Sequence, residues 1–109
     1  MNEKRKYERY PVVLGSDIDF DEPRIRFGLT QDVSKNGARL LTISEYDAGT
    51  EILLKIFLSE QQETECKARV IRCSPVEDRG MWHFEVGVEL EELLEDDVVT
   101  ALQDASSQA

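Results

Sequence analysis

The chain has 109 residues, 33% of them charged, and a formal net charge of −10. That length fits one domain with one core. The acidic balance argues against DNA, RNA or anionic-membrane binding, which needs clustered Lys and Arg.

The elements are legible in chain order. Residues 1–11 are polar and end at Pro11, so they read as an exposed N-terminal arm. From Val12 to Phe20 the pattern alternates, with Leu14, Ile18 and Phe20 on one face and Asp17 and Asp19 on the other. Asp21-Glu22-Pro23 marks a turn. Ile25, Phe27 and Leu29 then continue the apolar face, while Arg24, Arg26 and Gly28 face away. Ala38 to Thr42 is a short strand, Ser44 to Thr50 a loop, and Ile52 to Leu58 a strand apolar on both faces at its start. After a polar turn, Cys66 to Cys73 alternates again, and Pro75 to Gly80 is rich in turn residues. Trp82, Phe84, Val86, Val88 and Leu90 form the clearest period-two stripe, which places Trp82 in the core. Leu94, Val98, Ala101, Leu102 and Ala105 instead recur at helical spacing, with Glu95, Asp96 and Asp97 in the first turn, where the helix dipole favours acids. The expected architecture is mainly all-β: a six-stranded antiparallel β-barrel over 12–105, closed at one end by a C-terminal α-helix, with a frayed tail at 106–109.

No apolar run approaches the ~20 residues of a membrane span. The start Met-Asn-Glu-Lys-Arg has no apolar stretch behind it. Neither membrane insertion nor a signal peptide is expected, and the expected compartment is the cytoplasm. Cys66 and Cys73 lie on one strand, which separates them by roughly 23 Å and sets them on opposite faces. A disulfide needs Cα atoms within about 7 Å, so both read as reduced thiols. With His83 the lone histidine, no metal site is expected.

Two patterns carry chemistry. Arg5 and Arg9 form RxxxR on the arm; Asp32, Ser34 and Gly37 form DxSxxG. The arginines are permanently charged forks that grip phosphate and stack on purines. An ionised Asp32 accepts only, which matches the adjacent N1–H and N2–H donors of guanine. Ser34 donates or accepts, and Gly37 permits a left-handed backbone and close approach of a ligand. A hairpin closing near Asp21 sets Tyr10 and Pro11 opposite Asp32, Val33 and Ser34, which brings the arm beside the turn. Charge agrees: Lys4, Arg5, Lys6 and Arg9 cluster at the start, whereas no Lys or Arg follows Glu85. The acidic end reads as a solubilising face or a surface for a basic partner.

Taken singly, each motif is better described as a solvated arm or a turn between strands. In this order, on this strand pattern, they resemble the PilZ domain, a bacterial receptor family for cyclic di-GMP. The likeness extends through Gly37-Ala38-Arg39-Leu40-Leu41 and Ala68-Arg69-Val70-Ile71-Arg72 to Gly87-Val88-Glu89-Leu90, with Leu90 where the family usually carries Phe. The resemblance implies cyclic di-GMP held by Arg5, Arg9, Asp32, Ser34 and Gly37, with the arm folding over the ligand. Lys4 occupies a position linked in the family to ligand number, and Arg39 leaves the turn on the strand side, a position compatible with ligand contact and with solvation. No catalytic constellation is present, since Asp32, Ser34 and His83 offer no triad. The resulting expectation is a non-enzymatic receptor or adaptor, without cofactor, that signals to a protein partner. The alternative is a PilZ-fold interaction module that works without nucleotide through its acidic surface.

Overall fold

The computed structural model describes residues 7–21 and 24–107. Its strands are β1 (Arg9–Pro11), β2 (Gly15–Asp21), β3 (Arg24–Ser34), β4 (Gly37–Thr42), β5 (Glu51–Phe57), β6 (Glu63–Pro75) and β7 (Phe84–Leu90), followed by the helix α1 (Asp96–Ser107). All pairings are antiparallel, and β2 to β7 close a barrel in the order β3-β2-β5-β6-β7-β4, with β4 returning to β3. The expected barrel and C-terminal helix are present. One strand is extra: β1, expected as part of the arm, pairs with the far end of β3. The helix also runs on to Ser107, beyond its expected end.

The barrel interior explains why these segments pair. Ile18, Val33, Leu40, Leu54, Ile56, Val70, Val86 and Leu102 are each at most 1% exposed. Full burial of such a side chain contributes about 1.5–3 kcal/mol. Leu94, Val98 and Leu102 belong to the same buried cluster as the strand residues, so the helix completes the core. Gln103 of α1 donates to the Tyr10 hydroxyl of β1 at 3.3 Å.

Register matches the sequence reading in β1 and β2 and departs from it in β3. Tyr10 pairs with Val33 and Pro11 with Asp32, as the hairpin argument required. Phe27, however, is 50% exposed, whereas Gly28 and Thr30 are buried. The face read as outward points in. Small and hydroxylated side chains are needed there: a Cβ on Gly28 would lie 3.2 Å from Ile18 Cδ1. Thr30 Oγ1 donates to the Val12 carbonyl and accepts from the Leu14 N–H at 2.8 Å, which ties down the link between β1 and β2. Trp82 is likewise corrected. It precedes β7 and stays half-buried outside the core cluster, its ring 6.1 Å from that of Phe27.

A strand irregularity accounts for one further difference from the sequence pattern. A shift between Val70 and Arg72 reverses the phase of β6. Cys66 and Cys73 therefore both pack against the core, although seven positions separate them, and both are free thiols. A second shift, between Thr30 and Asp32, lies one residue before the DxSxxG run.

Candidate functional site

The end of β3 is flanked on both sides, by β1 and by β4. Arg9 pairs with Ser34 and Arg39 with Asp32, so an arginine from each neighbouring strand reaches the same stretch. Asp32 is only 6% exposed. Arg39 holds its Oδ2 through Nε at 2.7 Å and through Nη2, while Arg9 Nη1 stands 3.9 Å from Oδ1. The hydrogen bond to Asp32 raises Arg39 further above its ordinary value, against the opposing effect of burial. The carboxylate thus has one oxygen clamped and one facing a loosely held arginine.

The turn between β3 and β4 is held by its own side chains. Ser34 Oγ donates to Asn36 Oδ1 at 2.8 Å, and the Asn36 N–H approaches Ser34 Oγ at 3.4 Å. Gly37 does not adopt a left-handed backbone; among the described glycines only Gly49 and Gly80 have positive φ. It is required for a different reason. A Cβ at Gly37 would lie 2.8 Å from the Val88 carbonyl oxygen, so any side chain would push β4 off β7.

These residues line a cleft of about 390 Å³ with Tyr7, Asn36, Ile71, Arg72, Gly87 and Glu89. Cross-strand pairing sets Asp32, Arg39, Gly87 and Arg72 in one row across four strands. Gly87 leaves that row open in the middle, and the stem of Arg72 lies 3.5 Å from where a Cβ would stand. Arg9, Arg39 and Arg72 oppose Asp32 and Glu89 in the lining, so the cleft is locally cationic on an acidic chain. Such a surface suits a compact anion with both phosphate and hydrogen-bonding edges.

Of the residues predicted from sequence, Arg9, Asp32, Ser34, Gly37 and Arg39 meet in this cleft. Arg5 and Lys4 lie outside the described residues. The sequence motifs assign no role to Arg72, Ile71 or Gly87. Gly87 was the one available signal, because a glycine inside a strong strand marks a close approach. Arg72 had none, since the phase change in β6 that brings it here leaves no trace in composition.

The sequence of residues 3–106 matches the family described as the PilZ domain. The chain belongs to this family. No curated protein matches the chain in sequence. Among solved structures, this PilZ domain is similar to the Bacillus subtilis inhibitor of motility (MotI/DgrA), with 21% identity and a TM-score of 0.77 over 98% of this chain and 52% of that one. It is also similar to the PilZ domain of Escherichia coli YcgR with c-di-GMP, with 13% identity and a TM-score of 0.73 over 97% of this chain and 91% of that one. The longer YcgR structure, also in complex with c-di-GMP, gives 14% identity and a TM-score of 0.71 over 94% of this chain and 44% of that one. The chain thus spans about half the length of the inhibitor of motility and somewhat less of YcgR.

Proposed function

We propose that this PilZ domain is a receptor for cyclic di-GMP. The observation that supports the reading is that Arg9, the second arginine of RxxxR, stands 3.9 Å from Asp32 and pairs with Ser34 in a single cationic cleft. Arg9, joined by Arg5 four positions earlier in the sequence, clamps phosphate and stacks on guanine. Asp32 keeps acceptor capacity beyond what Arg39 uses, and takes the N1–H and N2–H of a guanine edge. Ser34 and the Gly37 backbone complete the contacts, Arg39 flanks them, and Lys4 is a further candidate for ligand contact. The presence of c-di-GMP in the two YcgR structures supports this assignment.

The domain acts without catalysis, in the cytoplasm, and ligand binding changes the surface formed by arm and barrel. A protein partner reads that surface. Among the described residues no helix is long and apolar enough to cross a membrane, and no cluster of His, Cys, Asp and Glu could hold a metal ion.

Calorimetry tests the reading. Cyclic di-GMP is titrated into wild type, Arg5→Ala and Arg9→Ala, with cyclic di-AMP as the purine control. Wild type should bind cyclic di-GMP, and each arginine variant should lose about 2–5 kcal/mol. Folded wild type giving no heat at high micromolar nucleotide would overturn the proposal in favour of a module that works through its acidic surface. Equal affinity for cyclic di-AMP would remove Asp32 from guanine recognition.

A further inference from the structure

A second groove, of about 490 Å³, lies between β6 and the segment leading into α1. Its lining includes Glu65, Cys66, Glu91, Glu92, Leu94 and Val98. Three features of it are unassigned by the nucleotide reading.

The first is an open sheet edge. β5 pairs with β6 from Glu63 to Arg69, but β7 pairs with β6 only from Ala68 onward. On the β7 side, residues 63–67 therefore have no partner strand among the described residues. The Lys67 carbonyl accepts from the Glu91 N–H at 2.8 Å, which shows that this residue's backbone points into the groove. With the two-residue period of a strand, Glu63 and Glu65 aim their N–H and C=O the same way, and these are the groups left open, because Glu91 already occupies the Lys67 carbonyl.

The second is a two-sided character in register with that edge. Glu63 and Glu65 are exposed, whereas Thr64 and Cys66 are turned toward the core. Burial, with a smaller contribution from Glu65, pushes the Cys66 thiol up to about 11, so it lines the groove as a neutral, weakly polar group. Leu94 and Val98 face it, and Leu93 beside them is 49% exposed.

The third is unneutralised charge. Among the described residues, Glu65, Glu91, Glu92 and Glu95 have no ion-pair partner within 4.0 Å. Lys67 is the one cation in the lining. An acidic, exposed edge rejects other acidic strands, including a second copy of this chain, and selects basic ones.

We propose that this groove takes an extended segment of a protein partner, in which Lys or Arg alternates with apolar residues, by strand addition along residues 63–67 of β6. Backbone hydrogen bonds to the edge supply affinity, and the alternation supplies specificity. The partner's basic side chains meet the four glutamates, and its apolar ones meet Cys66, Leu94 and Val98. This assignment does not depend on nucleotide binding in the first cleft.

The test uses the whole chain, labelled with nitrogen-15 and free of nucleotide. It is titrated with the acetylated, amidated hexapeptide KVRVKV and with its permutation KRKVVV, which has the same charge and composition but no alternation. Amide shifts should concentrate at 63–67 and 91–98, and the permuted peptide should bind at least about tenfold more weakly. Glu65→Lys, at an exposed position, should abolish the shifts while leaving the rest of the spectrum unchanged. Equal binding of the two peptides, shifts spread over the whole acidic surface, or an unaffected Glu65→Lys would each overturn the proposal.

Discussion

The two grooves of this molecule are neighbours with opposite electrostatics. The cleft at the end of β3 gathers Arg9, Arg39 and Arg72 against Glu89 and the nearly buried Asp32. The groove at β6 gathers four glutamates with a single lysine. One short turn separates them: the Lys35 and Asn36 carbonyls accept from the Leu94 and Leu90 N–H groups, each at 2.9 Å. A net charge of −10 therefore says little about either site. Charges placed on adjacent strands decide what docks where, because beyond a Debye length of about 8–10 Å exposed charges are screened.

The sharpest way to break this contrast is to remove its anchor. Asp32→Ala should weaken cyclic di-GMP by about 2–5 kcal/mol in calorimetry, while Glu92→Gln, in the other groove, should leave that affinity within about a factor of two. A comparable loss from Glu92→Gln would mean that long-range charge, not local geometry, governs the cleft.

Next comes the acidic groove's thiol. With Cys66 raised from 9.0 to about 11, its thiolate fraction at pH 8 is about a hundredfold below that of an ordinary thiol. Iodoacetamide should modify it correspondingly slowly, as followed by peptide mass spectrometry. The linked stability has a definite sign. A thiol raised by folding contributes fully below the unfolded value and loses that contribution as pH rises through the folded one. Relative to Cys66→Ala, wild type should therefore lose about 2 kcal/mol between pH 9 and 11 in urea melts.

The two glycines of the cleft give a smaller and opposed pair. Gly37→Ala places a methyl 2.8 Å from the Val88 carbonyl and should destabilise the fold by about 1–3 kcal/mol. At Gly87 the nearest atom is 3.5 Å away, on the flexible Arg72 side chain, so Gly87→Ala should cost less than about 1 kcal/mol while obstructing the cleft floor and weakening nucleotide. Urea melts and calorimetry separate these outcomes. The smallest effect belongs to the side-chain link between the turn and the helix. Lys35 and Asp96 lie 3.4 Å apart, but the Asp96 side chain is 96% exposed, so Asp96→Ala should change stability by less than about 0.5 kcal/mol.

Much of this architecture could be read before any coordinates. The alternation from Phe84 to Leu90, the apolar run from Ile52 and the helical spacing from Leu94 to Ala105 each named an element. The pairing of Tyr10 and Pro11 with Val33 and Asp32 followed from where the hairpin turns. The departures have two physical sources. Phe27 was given the wrong face because apolarity outweighed the need for a small residue at Gly28 and a bridging hydroxyl at Thr30. The cysteines were set on opposite faces because a strand was assumed unbroken, and the irregularity after Val70 changes its phase. Arg72 was overlooked for the same reason.

Local pattern and spacing determined the six barrel strands, the final helix and the approach of Arg9 to an aspartate-bearing turn. These depend on residue type and on a period of two or 3.6, both of which are written along the chain. Tertiary structure alone decided which face of β3 points inward, why Gly37 must be glycine, where Arg72 stands and where β6 is left unpaired. Those outcomes depend on strand neighbours and on single-residue shifts in register, and such long-range packing has no local signature.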